Sequence, residues 1–195
     1  MDLGNLDFKI GSVNPSGIGT TVYCVAKEDI SEWPTIVNDP DASGAEADDL
    51  STYDGNFTLK SGKVFSTIYS TQGKGKATYE ATGETDCKMF TNKLSLSYPK
   101  LNAAALSRAK MAVNGDFIYI FKQDGKYHVI GSADYRVVSS FAGDTGDAAG
   151  SAKGCNIEIE APDVTPLPIY TGTLALAGGT LNCATGAFTP TPAAG

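Results

Sequence analysis

Phe117-Ile118-Tyr119-Ile120-Phe121 is an unbroken apolar and aromatic run. A strand of that composition has no face to give to water, so it belongs inside a sheet covered on both sides. Asp124-Gly125 follows, then Lys126-Tyr127-His128-Val129-Ile130. Asp-Gly suits a type I′ turn, which requires positive φ at both central positions. The hairpin therefore predicts a layered β protein with material above and below this strand.

Most of the remaining chain reads with period two. Gly19 to Lys27, 63–69 and 76–82 are β-branched or aromatic runs. In 89–98, Leu94, Leu96 and Tyr98 alternate with Lys93, Ser95 and Ser97 before Pro99 ends the run. Asp134 to Phe141 and Lys153 to Glu160 read as two further strands around the turn-rich 143–147. One segment breaks the pattern. Asn102 is a good N-cap, Ala103-Ala104-Ala105 favours helix, and Leu106, Ala109 or Lys110, and Val113 recur at helical spacing. One short helix is expected over 102–113, with Asn114 or Gly115 as a left-handed stop. The fold class is mainly β: a β-sandwich or incomplete barrel with one short α-helix.

Charge divides the chain unevenly. The formal net charge is -7. Between residues 28 and 59 lie nine acids, Glu28, Asp29, Glu32, Asp39, Asp41, Glu46, Asp48, Asp49 and Asp54, and no Lys or Arg. The rest of the chain then holds 13 acids against 15 bases, so the acidity originates in this one segment. It reads as a long acidic loop. It is either a partner-contacting loop anchored by Trp33, the only tryptophan, or a solvated insertion. After Asp163 no charged residue occurs. Within this tail the arms around Gly178-Gly179 predict a hairpin carrying Tyr170, Leu174, Leu176, Leu181 and Phe188. An uncharged hairpin must pack on its own body or on a neighbouring subunit. The expected organisation is a body over 1–163 and an extension over 164–195.

The same composition excludes several functions. A pI near 4.6 argues against a protein that grips a nucleic-acid backbone, and only Arg108 and Arg136 carry guanidinium groups. His128 is the only histidine, which leaves most nucleophile–base arrangements without a base, so no enzymatic activity and no cofactor are expected. Gly73-Lys74-Gly75-Lys76 lacks the phosphate-loop pattern, and the acids of 39–41 and 143–147 do not fit an EF-hand. Asn56-Phe57-Thr58 is a formal glycosylation sequon, but the start of the chain lacks the basic and apolar regions of a secretory signal. No stretch has the length of an apolar membrane span, and Cys24, Cys87, Cys155 and Cys183 form no CxxC.

The order of elements from about Cys87 to Asp163 resembles the core of bacteriophage tail tube proteins, in particular a divergent group from phages of Bacteroides-like bacteria. The resemblance rests on Leu94-Ser95-Leu96-Ser97-Tyr98-Pro99-Lys100, one short helix and the apolar strand. It continues through Gln123-Asp124-Gly125-Lys126-Tyr127, Ile130-Gly131, Gly143-Asp144-Thr145-Gly146-Asp147, and a Gly154 to Glu160 strand closed by Pro162-Asp163. It implies hexameric rings stacked into a tube, with inner sheets joined into a continuous lumen through which DNA passes without specific binding. It further implies a virion tail assembled in the host bacterial cytoplasm. The implied partners are further copies, the tape measure and tail terminator proteins, and possibly a sheath. A long loop between early strands packs on the next ring in that family, and 28–59 falls in the matching place. The alternative expectation is a capsid decoration protein or another β-sandwich binding module, such as one for carbohydrate.

Overall fold

A computed structural model describes residues 6–191. Residues 1–5 and 192–195, placed by the sequence in the body and the extension, lie outside the described residues. In chain order the strands are β1 (Thr21–Ala26), β2 (Ile30–Glu32), β3 (Thr52–Tyr53), β4 (Thr58–Leu59), β5 (Ser66–Tyr69), β6 (Lys76–Thr82) and β7 (Met89–Tyr98). After helix α1 (Ala103–Ala112) come β8 (Phe117–Gln123), β9 (Lys126–Ile130), β10 (Val138–Asp144) and β11 (Gly154–Asp163). The chain closes with β12 (Ile169–Tyr170), β13 (Thr173–Leu176), β14 (Gly179–Asn182) and β15 (Phe188–Pro190). Among the described residues the protein is mainly β with one α-helix, and no sheet closes into a barrel.

Two sheets form the sandwich. A six-stranded sheet runs β3-β12-β9-β8-β1-β5, and a four-stranded antiparallel sheet runs β10-β11-β7-β6. Side chains alternate across a strand, so β8 divides its residues between two cores. Tyr119 and Phe121 join Val22, Cys24, Leu94, Leu96, Ile157 and Ile159 between the two sheets. Ile118 and Ile120 join Val25, Tyr53, Phe57, Phe65, Val129 and Tyr170 on the opposite side. The apolar run thus has the double cover that its composition demands. Asp124 (φ 45°) and Gly125 (φ 79°) both take positive φ, as a type I′ turn requires.

The second cover comes from the two segments that charge set apart. The 28–59 segment is not a loop throughout. It carries β2, β3, β4 and a 3-10 turn at Ala47–Ser51, and it places Trp33, Tyr53, Phe57 and Leu59 in or against the second core. The aromatic residues point inward while most of the acids face water, so counting charge alone hid a folded strap. The tail is likewise not a separable extension from residue 164. β12 lies within the six-stranded sheet, parallel to β3 and antiparallel to β9. A buried side chain, Asn92, donates to the Thr165 carbonyl at 2.9 Å and accepts the Leu167 N–H at 3.0 Å, fixing the turn that leads into β12. Beyond it, β13, β14 and β15 form a three-stranded sheet, one strand more than the expected hairpin.

Helix α1 is capped as expected, with the Ala105 N–H donating to Asn102 Oδ1 at 3.0 Å. Its stop differs: Val113 keeps right-handed geometry, and neither Asn114 nor Gly115 has positive φ. Gly115 is needed for space instead, because a Cβ there would sit 2.2 Å from the Phe117 ring. The helix also turns inward a different face from the one its spacing suggests. Ala112 is buried and Ala105, Arg108 and Ala109 are half-buried, whereas Leu106, Met111 and Val113 are exposed.

Candidate functional site

The four-stranded sheet has one face in the core, except at β6, where only Ala77 is half-buried, and one in water. In β11, Ile157, Ile159 and Ala161 are buried while Asn156, Glu158 and Glu160 point outward. Register carries this outer face across the sheet: Lys76, Ser95, Glu158 and Ser140 form one row, and Thr78, Lys93, Glu160 and Val138 the next. Lys93 sits between two acids, 2.5 Å from Glu80 and 3.8 Å from Glu160, and Ser95 donates to Glu158. These exposed pairs hold side chains in place more than they stabilise the fold.

Neither edge of this sheet pairs with another strand among the described residues, and α1 packs beside β10. β6 and β10 are each seven residues long. Apart from their ladders to β7 and β11, neither makes a backbone hydrogen bond among the described residues. Long unpaired edges are templates for pairing with another chain. Strand direction alternates across the sheet, so β10 and β6 run in opposite senses. The β10 edge of one copy can therefore meet the β6 edge of another in antiparallel register, extending the sheet without a break. Further apolar groups lie in water: Leu106, Met111 and Val113 around α1, and Leu6, Phe8 and Ile10, which alternate with Asp7 and Lys9 in an exposed arm.

The residues singled out by sequence are dispersed. Glu28, Glu32, Asp39, Asp41, Glu46, Asp48, Asp49 and Asp54 are exposed along the strap. Asp29 is half-buried and bridged to Lys63 at 2.9 Å. Asp39 Oδ1 accepts the Asp41 N–H, and Asp49 accepts the Glu46 N–H in a capping box. Trp33 is half-buried edge-on to Phe57, with ring centroids 5.4 Å apart, so its indole packs on its own chain. In the tail, Tyr170, Leu174 and Leu181 are buried, Leu176 is half-buried and Phe188 is 51% exposed. Packing on the body, one of the two outcomes foreseen for the hairpin, holds for most of it.

His128 stacks on Phe121 and its Nδ1–H donates to the Leu167 carbonyl at 2.8 Å, holding the turn before β12. No group of three His, Cys, Asp or Glu among the described residues is placed to hold a metal ion. No helix among them is long and apolar enough to cross a membrane. One partly open cleft gathers polar groups that no motif marked. It brings Ser132, Asp134 and Asp163 beside Trp33 and Tyr53. The strand over 153–160 was expected from the sequence; this cleft was not, because its walls come from three distant segments.

The fold and its surfaces define a sandwich-like β protein with a polar four-stranded sheet, unpaired at both edges among the described residues. Comparison with protein-family models, with curated proteins and with solved structures finds no match.

Proposed function

We propose that the chain is a non-catalytic structural subunit that joins further copies edge to edge into a ring, with rings stacking into a tube. The observation that carries this reading is the four-stranded sheet, with two unpaired edges of equal length and a largely polar outer face. Pairing β10 of one copy with β6 of the next is a heterologous contact that closes by rotation, and it removes both edges together. The outer face then lines the lumen. Its acids Glu80, Asp144, Glu158 and Glu160 outnumber Lys76 and Lys93, so a polyanion would slide along it rather than adhere.

This is the arrangement implied by the resemblance to phage tail tubes: hexameric rings in a virion tail, DNA as the passing cargo, and tape measure and terminator proteins at its ends. The exposed apolar residues of α1 and the Leu6 to Ile10 arm supply further surface for copies to cover. Negative-stain microscopy and sedimentation of the purified protein over a wide concentration range test the reading. Rings or tubes are expected, and a strictly monomeric particle at every concentration and salt would overturn it.

A further inference from the structure

The strap around Trp33 to Asn38, the loop Ser132 to Tyr135 after β9, and the end of β11 line a cleft of about 190 Å³. That lies below the ~300–1,000 Å³ of sites for drug-sized ligands. It is the size of one long side chain. Trp33, Ile36, Tyr53 and Tyr135 give it apolar walls.

Its polar groups are incompletely matched. Asp163 is only 3% exposed, and its Oδ1 accepts the Thr165 N–H at 3.1 Å. Asp163 Oδ2 and Ser132 Oγ are buried and have no hydrogen-bond partner among the described residues. A buried carboxylate oxygen without a donor is costly, and native proteins rarely leave one so. The lining holds two carboxylates, Asp134 and Asp163, and no Lys, Arg or His. Lys27, which acts on Asp163 from nearby, is already committed to Asp116 at 3.3 Å and to the Tyr135 carbonyl.

We propose that this cleft binds an alkylammonium group, either a free primary amine or a lysine side chain. The ammonium has three donors, enough for Asp163 Oδ2 and Ser132 Oγ together. Its charge compensates Asp163 with Asp134 beside it, and its stem lies against Trp33 and Tyr53, where the indole and phenol faces also attract a cation. An anion is repelled by the same carboxylates. A neutral alcohol satisfies hydrogen bonds but leaves the buried charge uncompensated.

Trp33 is the only tryptophan and lines the cleft, so its fluorescence reports occupancy. The protein is titrated at neutral pH with n-butylamine, with Nα-acetyl-lysine amide and with n-butanol as the uncharged control. A saturable change is expected with the amines and not with the alcohol. The tighter of the two amines identifies the source, and either order upholds the site. Asp163→Asn is expected to weaken amine binding about 10- to 100-fold, the loss of one charge-assisted hydrogen bond. Ser132→Ala is expected to weaken it several-fold and serves alone if Asp163→Asn fails to fold by circular dichroism. Absence of a saturable amine response, equal binding of butanol, or unchanged affinity in the folded variants overturns the proposal.

Discussion

The phenol oxygen of Tyr170 accepts the backbone N–H of Phe57 at 3.2 Å, and the two rings lie 5.0 Å apart. The same hydroxyl donates to the Thr173 carbonyl at 3.1 Å, and burial pushes the phenol up to about 12. One side chain thus ties the tail to the acidic strap. Tyr170→Phe keeps the ring but leaves the buried Phe57 N–H unpaired, so a loss of about 1–3 kcal/mol is expected. Tyr170→Ala also opens a cavity and is expected to cost about 3–5 kcal/mol. Urea unfolding followed by circular dichroism measures both. A Tyr170→Phe curve that overlies the parent's would refute the tie.

A chain ending at Asp163 loses β12 from inside the six-stranded sheet and the whole of β13, β14 and β15. Ile118, Ile120 and Val129 then lose part of their cover. Such a chain is expected to have no cooperative thermal transition. A truncated protein melting sharply near the parent temperature would show that the tail is dispensable to the fold.

How far the sequence carried this architecture follows from the range of each signal. Local ones held: the Asp124-Gly125 turn, the Asn102 cap and the alternation of Leu94 and Leu96 depend on neighbours along the chain. The double cover of Phe117 to Phe121 was legible because composition alone excludes a wet face. What covers it was not legible. Trp33, Phe57 and Tyr170 meet only through long-range packing, and the acids interleaved with the first two dominated the reading of that segment. Asn92 gave no signal either, since its partners lie more than 70 residues away. The helix shows the converse limit: helical spacing predicts a helix, yet the face that turns inward is the one from which Arg108 donates to Cys24 and Ser66, partners distant in the chain. Of the candidate surfaces, the strand over 153–160 was expected, but the unpaired edges at β6 and β10 are properties of the assembled sheet.

Asp163 makes stability depend on pH. Burial raises its carboxyl above the ordinary carboxylate range, with Asp134 adding to the rise and Lys27 and the N–H groups of Val164 and Thr165 opposing it. A folded-state value above the unfolded one of about 3.9 stabilises the protein most below that value and is lost as pH rises through the folded one. At neutral pH the native state therefore carries the cost of a buried charge. Asp163→Asn is expected to be more stable than the parent at pH 7, with the difference shrinking as pH falls toward the ordinary carboxylate range. Thermal melts of both proteins at several pH values measure this. A variant less stable at neutral pH would mean that the charge is compensated in the folded protein.

The four thiols differ in reach. Cys24, Cys155 and Cys183 are buried and Cys87 is exposed. Burial pushes Cys183 up to about 12 and raises Cys155. The thiolate is the reacting species, so both are protected by protonation as well as by packing. One rapid modification by maleimide is expected in the native protein, abolished by Cys87→Ser, and four in denaturant. Mass spectrometry counts them. Rapid native labelling of Cys183 would show that β13 and β14 open readily.

Ring closure through the four-stranded sheet makes a geometric demand that cross-linking tests directly. A closing sheet staggers its register, but only by an even number of residues, because an odd shift would turn the polar face inward. Ser140 on the β10 edge must then lie opposite Lys76, Thr78 or Glu80 of the next copy, all on the same outer face. In a Cys87→Ser background, Ser140→Cys is combined with Lys76→Cys, Thr78→Cys or Glu80→Cys in turn. A disulfide needs Cα atoms about 4.4–6.8 Å apart, so only the pair in register forms one efficiently. That variant is expected to give a ladder of covalent oligomers under mild oxidation, ending at the closed ring. Each single-cysteine variant gives at most a dimer. A two-fold pairing of like edges would instead link a single-cysteine variant into dimers as efficiently, so the heterologous contact also requires the single variants to stay essentially monomeric under the same oxidation. Dimers alone from all three combinations would show that these edges do not meet.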